Sequence, residues 1–266
     1  MTGQIRSELL KVRTTRTVWA LTALAVGFVA LSTVANSYFV TAGVQAAADA
    51  GSAEIFRSVL ASISTSGAQV APLCLGILLL TAEFRHNTIT ATLLAEPRRE
   101  VVVAAKVVAI LVVGAGIAVA ATVVGLAIAL PWLGLDGVAV PSAGELPLIV
   151  LGNFLVLVLY GLLGLGLGTV VRNQVVAVVV GVVFVTTVEP LLVLAITGLR
   201  FLRPLGGVAA YLPGEAASAL QRTVSVAQDP GALHQLPMLA GGLVLLGYGL
   251  ALLGLGTRFS VSRDIT

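Results

Sequence analysis

Charge is scarce in this sequence. Only 10% of its 266 residues are Asp, Glu, Lys or Arg, while 58% are hydrophobic. With a mean hydropathy of +1.06, that balance excludes an ordinary water-soluble surface. Aromatic residues make up 5% and alternating strand-like segments are scarce, which disfavours a transmembrane barrel and leaves a helical bundle. The one cysteine, Cys74, rules out an intramolecular disulfide and lies in an apolar run, where a thiol packs. Lysine occurs only as Lys11 and Lys106, and Val follows each. A Walker A loop needs Lys followed by Ser or Thr, so the chain has no ATP-binding loop of that kind. His86 and His234 lack a Cys or carboxylate cluster at ligand spacing, which argues against a metal site. No G-x-S-x-G elbow is present, which disfavours an intramembrane hydrolase. The chain reads as non-catalytic.

What is present is a set of long uncharged runs, over residues 17–48, 58–82, 107–135, 146–171, 173–188 and 230–257. A spanning helix needs about 20 apolar residues. The expectation is therefore an all-α integral membrane protein, a single transmembrane domain over residues 1–266. Its six helices fall at about 18–40, 60–81, 106–131, 147–170, 175–197 and 237–257. The basic N-terminal stretch resembles the start of a signal peptide, but the run that follows is too long for one and no cleavage site follows it, so it reads as a retained first helix. The pI of 9.4 does not imply nucleic-acid binding, because Lys and Arg sit at the ends of apolar runs. Arg6, Lys11, Arg13, Arg16, Arg85, Arg98, Arg99, Lys106, Arg172, Arg258 and Arg263 would share one side of six spans, against Arg57, Arg200, Arg203 and Arg222. By the positive-inside rule both termini are expected in the cytoplasm. Arg far exceeds Lys, and Ala, Gly and Val abound, which suggests a bacterial genome of high G+C content and hence the plasma membrane.

Three segments outside the spans are long enough for structure of their own. Residues 2–17 place Ile5, Leu9 and Val12 on one helical face, as an interfacial helix leading into the first span. The stretch 82–105 divides at Glu96-Pro97, which separates a short helix around 84–94 from a fresh one. The outer segment 198–236 is broken by Pro204, Gly206, Gly207, Pro213 and Gly214. Within the spans, Ser58, Ser62, Thr65 and Gln69 recur on one face of the second helix. Thr33, Asn36 and Ser37 add polarity to the first span, and Thr186, Thr187 and Glu189 to the fifth. These residues line a transport path or make interhelical hydrogen bonds. Glu189, followed by Pro190, is the sole ionisable residue inside the apolar spans, and it either reaches water near the outer interface or marks a break. Gly161, Gly164, Gly166 and Gly168 allow close helix packing within the subunit or between subunits.

In order and wording these parts resemble ABC-2-type transporter permeases. Ser7-Glu8-Leu9-Leu10-Lys11 precedes Arg16 and the first span. Glu83-Phe84-Arg85-His86-Asn87-Thr88 then resembles the family's E-(Y/F)-R-x-(G/N)-T pattern after the second span, with Asn87 where Gly is more often found, and Pro97-Arg98-Arg99 ends the block. The resemblance implies a permease subunit of an ATP-driven exporter of amphiphilic or hydrophobic cargo such as drugs, antibiotics or lipids. It also implies a second permease chain and two separate ATP-binding subunits that carry ATP and magnesium. Glu83, Phe84, Arg85, His86, Thr88 and Arg98 would then belong to a coupling helix against the ATPase, with Arg172 in a second contact. Asn36, Ser62, Thr65, Gln69, Thr186, Thr187 and Glu189 would border the pathway, and residues around 190–220 would re-enter to cap it. The alternatives are a non-transporting assembly or sensor component of the membrane and a secondary carrier.

Overall fold

In the computed structural model of the chain, the described residues are 2–44, 58–61, 63, 67–85, 99–137, 144–171, 173–221 and 236–258. Among these, the side chains of residues 2, 40–44, 99, 200 and 203 lie outside the description. The regular elements among the described residues are all helical. Helix α1 (Thr2–Thr14) ends where the hydroxyls of Thr14 and Thr15 turn back onto the Lys11 carbonyl, a local bond that competes with helix continuation. Helix α2 (Arg16–Val44) starts one residue later, and the Trp19 indole N–H donates to the Arg13 carbonyl across the joint at 3.0 Å. Trp19 at one end of α2 and Tyr38 and Phe39 at the other are exposed. The two ends are roughly 28 Å apart at 1.5 Å per residue, close to the thickness of a bilayer's apolar core, where aromatic residues gather at both interfaces.

The continuous second helix expected over 60–81 is corrected by the backbone. Residues 58–61 and 63 are helical, but Gly67–Gln69 form a turn, and α3 runs Val70–Arg85. Gly67 adopts φ +99°, a conformation open to glycine and strained for other residues. Its N–H donates to the Gln69 side-chain oxygen at 3.3 Å. Pro72 then falls in the first turn of α3, where no N–H is required. Ser58 and Gln69 therefore do not share one unbroken helical face.

The remaining helices are α4 (Arg99–Leu135), α5 (Glu145–Val170), α6 (Gln174–Gly198), α7 (Pro213–Leu220) and α8 (Met238–Gly256). Among the described residues five helices, α2, α4, α5, α6 and α8, are long and apolar enough to cross a membrane, which suits a multi-pass membrane protein. With 16 residues, α3 falls short of a full span on its own.

Helix α5 is the hub, and small residues put it there. A Cβ on Gly164 would collide with the backbone of Leu73, one on Gly76 with the backbone of Gly161 and Leu165, and one on Gly168 with that of Ile77. Gly166 meets Gly249 and Leu252 of α8 in the same way. In a bilayer, where lipid is as apolar as Leu, such backbone proximity is how helices gain packing energy. Of the two readings of this glycine series, packing within one chain is the one observed. Asn173 starts α6 by accepting the N–H groups of Val175 and Val176 at 3.0 and 3.2 Å, a side-chain N-cap. At Glu189-Pro190 the helix widens instead of ending. Pro190 has no N–H, Phe184–Val188 form a π turn in which the Glu189 N–H reaches the Phe184 carbonyl, and α6 continues to Gly198. A short 3-10 helix (Arg200–Leu205) and one helical turn (Gly206–Ala209) lead into α7.

Candidate functional site

At the basic end of the bundle two acids and two bases converge from three helices. Glu8 and Lys11 are one turn apart on α1 and share a face. Glu83 lies in the last turn of α3, and Lys106 two turns into α4. The Lys106 Nζ donates to Glu83 Oε1 at 2.7 Å, to Glu8 Oε2 at 3.2 Å and to the Leu79 carbonyl at 3.2 Å, which uses all three of its protons. The Lys11 Nζ lies 2.8 Å from Glu8 Oε1 and 3.1 Å from Glu83 Oε1. Glu8 and Lys106 are each 1% exposed and Glu83 6%, so the charges are tolerated only because they neutralise one another two against two. Lys11 is half-exposed. Its burial alone would lower its pKa, but hydrogen bonding and attraction to Glu8, and then to Glu83, outweigh that and raise it.

Beside the cluster a cavity of about 800 Å³ opens between α1, the start of α2, α3, α4 and Gln174. Leu75, Leu78, Leu79, Ile110 and Val113 give it an apolar wall, and Gln4, Ser7, Glu8, Lys11, Glu83 and Arg85 a polar one. Among the described residues, no group of three His, Cys, Asp or Glu side chains is placed to hold a metal ion.

A second polar assembly lies toward the other end. Glu189 is 3% exposed, and its carboxylate accepts the backbone N–H of Gly214 at the N-terminus of α7, where no side chain of α7's own N-cap residue does so. A carboxylate there satisfies an orphan donor and opposes the helix dipole. This corrects the simpler of the two readings of Glu189, that it reaches water. A Cβ on Gly214 would lie 3.0 Å from that carboxylate, so a larger residue would make the Glu189 side chain shift slightly. Helix α7 is also pressed against Gly152 of α5 and Gly241 of α8. Gln221, just beyond it, donates to the Asn153 side chain at 3.3 Å.

The residues proposed from sequence divide between these places. Glu83 is buried and bonded inward, Phe84 packs against the apolar core below it, and Arg85 is exposed. His86, Thr88, Arg98 and Arg172 lie outside the described residues, as do Ser62 and Thr65. Asn36 donates to the Ser58 carbonyl at 3.3 Å, and Gln69 caps the Gly67 turn. Thr186 and Thr187 are exposed on α6, where the Thr186 hydroxyl is returned to the Val182 carbonyl at 2.8 Å. Glu8 and Lys106 were missed as a pair. From sequence Lys106 reads as a topology charge and Glu189 as the sole ionisable group inside the apolar spans, yet Lys106 is buried in α4. The available signals were the Glu8 and Lys11 spacing and, for the second assembly, a lone Asn153 in an apolar run. Compared with known families and with curated proteins, the chain matches no family model and no curated protein.

Proposed function

We propose that the chain is the membrane-spanning subunit of an ABC-2-type transporter, a six-span permease that exports amphiphilic or hydrophobic cargo across a bacterial plasma membrane. The observation that carries this reading is the buried ion cluster. It ties α1, the end of α3 and the start of α4 into one joint, and in sequence the 86–98 stretch that the resemblance makes a coupling helix links α3 to α4. A push on that stretch by an ATPase would then reach α3 and α4 through a joint with little slack. In this reading residues 58–85, broken at Gly67, supply the sixth crossing, and Arg172 lies in the second cytoplasmic contact. A second permease chain faces the exposed Thr186 and Thr187 side of α6. Residues 200–220, anchored on Glu189, Gly152 and Gly241, close the outer end. ATP and magnesium belong to two separate ATP-binding subunits.

The test is a reconstituted complex in which ATP hydrolysis and uptake of a fluorescent amphiphile are measured on the same vesicles. Thr92→Pro should leave hydrolysis within about twofold and cut uptake at least tenfold, because the chemistry lies in the partner while its movement no longer reaches the spans. Uptake that survives this change removes the coupling role. A tagged chain that brings no ATP-hydrolysing subunit out of native membranes removes the assignment itself.

A further inference from the structure

We infer that the outward face of α1 is a seat for an anionic phospholipid, with Arg6 and Arg13 on its phosphate and Ile5, Leu9 and Leu10 against its acyl chains. Gln4, Ser7, Glu8 and Lys11 line the cavity toward α3 and α4. Ile5, Arg6, Leu9, Leu10 and Arg13 line a separate, open groove of about 350 Å³, and by the helical repeat the two sets fall on opposite sides of α1. The acid of the helix is thus turned into the bundle and most of its apolar side chains are turned out. Leu10 is 61% exposed, and Ile5 and Leu9 are half-buried.

Charge decides what covers this face. Glu8 is the only acid before Asp49, and it is spent inside the bundle on Lys11 and Lys106. Arg6 and Arg13 are exposed, and among the described residues neither pairs with an acid. The groove therefore offers guanidinium groups and apolar surface together, open to the outside and with no carboxylate in it. A zwitterionic headgroup would bring its own cation against the two arginines, whereas an anionic one answers them with phosphate oxygens alone. Arg6 and Arg13 lie seven residues, roughly 10 Å, apart along the helix axis, a distance that two extended arginine side chains close over one headgroup. Depth points the same way. The Arg13 carbonyl holds the Trp19 indole N–H at 3.0 Å, and an exposed indole at the start of a span sits where headgroups meet acyl chains. A groove at that level meets lipid before it meets a soluble protein.

The seat gives α1 a second attachment, so that the helix carrying Glu8 and Lys11 is held between the ion cluster and a headgroup. It needs neither cargo nor ATPase, which keeps it separable from the exporter reading. Trp19 is the reporter, with Trp132, the only other tryptophan, changed to Phe. The full chain is reconstituted in phosphatidylcholine vesicles in which phosphatidylglycerol or phosphatidylcholine, brominated near the ester end of the chains, replaces increasing amounts of the host lipid. Phosphatidylglycerol is expected to reach half of its maximal quenching at a mole fraction at least threefold lower, and about 1 M salt should at least halve that preference. Arg6→Gln with Arg13→Gln should erase the preference and leave quenching by phosphatidylcholine as it was. Arg85→Gln, which removes an exposed cation on α3, should keep it. Dye labelling of Cys74 on heating checks that each variant is folded like the parent. Equal half-points for the two lipids in the parent chain overturn the inference, because no anion is then selected. An equal loss from Arg85→Gln overturns it too, because the charge of the whole end would be selecting and not the groove. A photo-crosslinker at Leu10 that joins another protein in native membranes, and not lipid, names a different occupant and has the same force. If the preference holds and no ATP-hydrolysing subunit is found, the exporter reading fails and the lipid seat stands.

Discussion

Lys106 shows how much one side chain can hold in a molecule this poor in charge. Replacing it with Met leaves Glu8 and Glu83 buried with their central partner gone, a change that costs about 3–5 kcal/mol when a buried pair is broken on one side. Replacing Glu8 and Glu83 by Gln in the same chain removes the stranded charges and should recover most of the loss. Cys74 supplies the measurement, since it is the only thiol and is buried in α3. A thiol-reactive dye should label K106M at least 5 °C below the wild type, with the triple variant in between. Lys11 makes a smaller, pH-dependent contribution. Its pKa is raised in the folded chain, so the stability it adds is complete below its ordinary value of 10.5 and disappears as pH rises through the folded value. Because Lys11 is half-exposed, solvent screens the effect. The gap in melting temperature between wild type and Lys11→Met should be small and constant up to pH 10, and should close above it. A gap that widens with pH would contradict the pairing with Glu8 and Glu83.

Helices reveal how far the sequence could be read. The helices expected at 147–170 and 175–197 lie at Glu145–Val170 and Gln174–Gly198, because uncharged runs bounded by Glu145 and Arg172 leave little freedom at their ends. The break at Gly67 was hidden, since glycine is common in apolar runs and only its φ distinguishes a turn from a helix position. The Glu8 and Lys106 pairing was hidden for another reason. Periodicity on α1 favours Ile5, Leu9 and Val12 as the inward face, and only a charge buried 98 positions away explains why Glu8 turns in. The α3–α5 contact was half visible, as a glycine series without its partner. It predicts that Gly164→Ala destabilises the chain by about 1–3 kcal/mol, as overpacking does, because the added carbon meets the Leu73 backbone and backbone cannot move aside like a side chain. Gly247→Ala on α8, where nothing lies within 4 Å, should be neutral or slightly stabilising. Equal melting curves for these two variants, followed through Cys74, would mean that α3 and α5 do not approach so closely.

For the whole molecule, function turns on which end faces the cytoplasm. The ion cluster, the cavity and the exposed Arg6, Arg13, Arg16 and Arg85 share one end, while Asp136, Glu145 and Glu215 belong to the other. Basic residues beside spans are retained on the cytoplasmic side far more strongly than acidic residues are expelled, so the cluster end should face inward. In a Cys74→Ala background, a cysteine at Asp136, which is exposed, should react with an impermeant maleimide applied to intact cells. A cysteine at Arg98 should react only after the membrane is opened. The comparison is internal, because both variants carry one thiol in the same fold and differ only in its side. The reverse pattern would place the cluster and the 86–98 stretch outside, where no ATP-binding subunit can reach them. The exporter reading would then fail, although the helices, their glycine contacts and the buried charges would be unchanged.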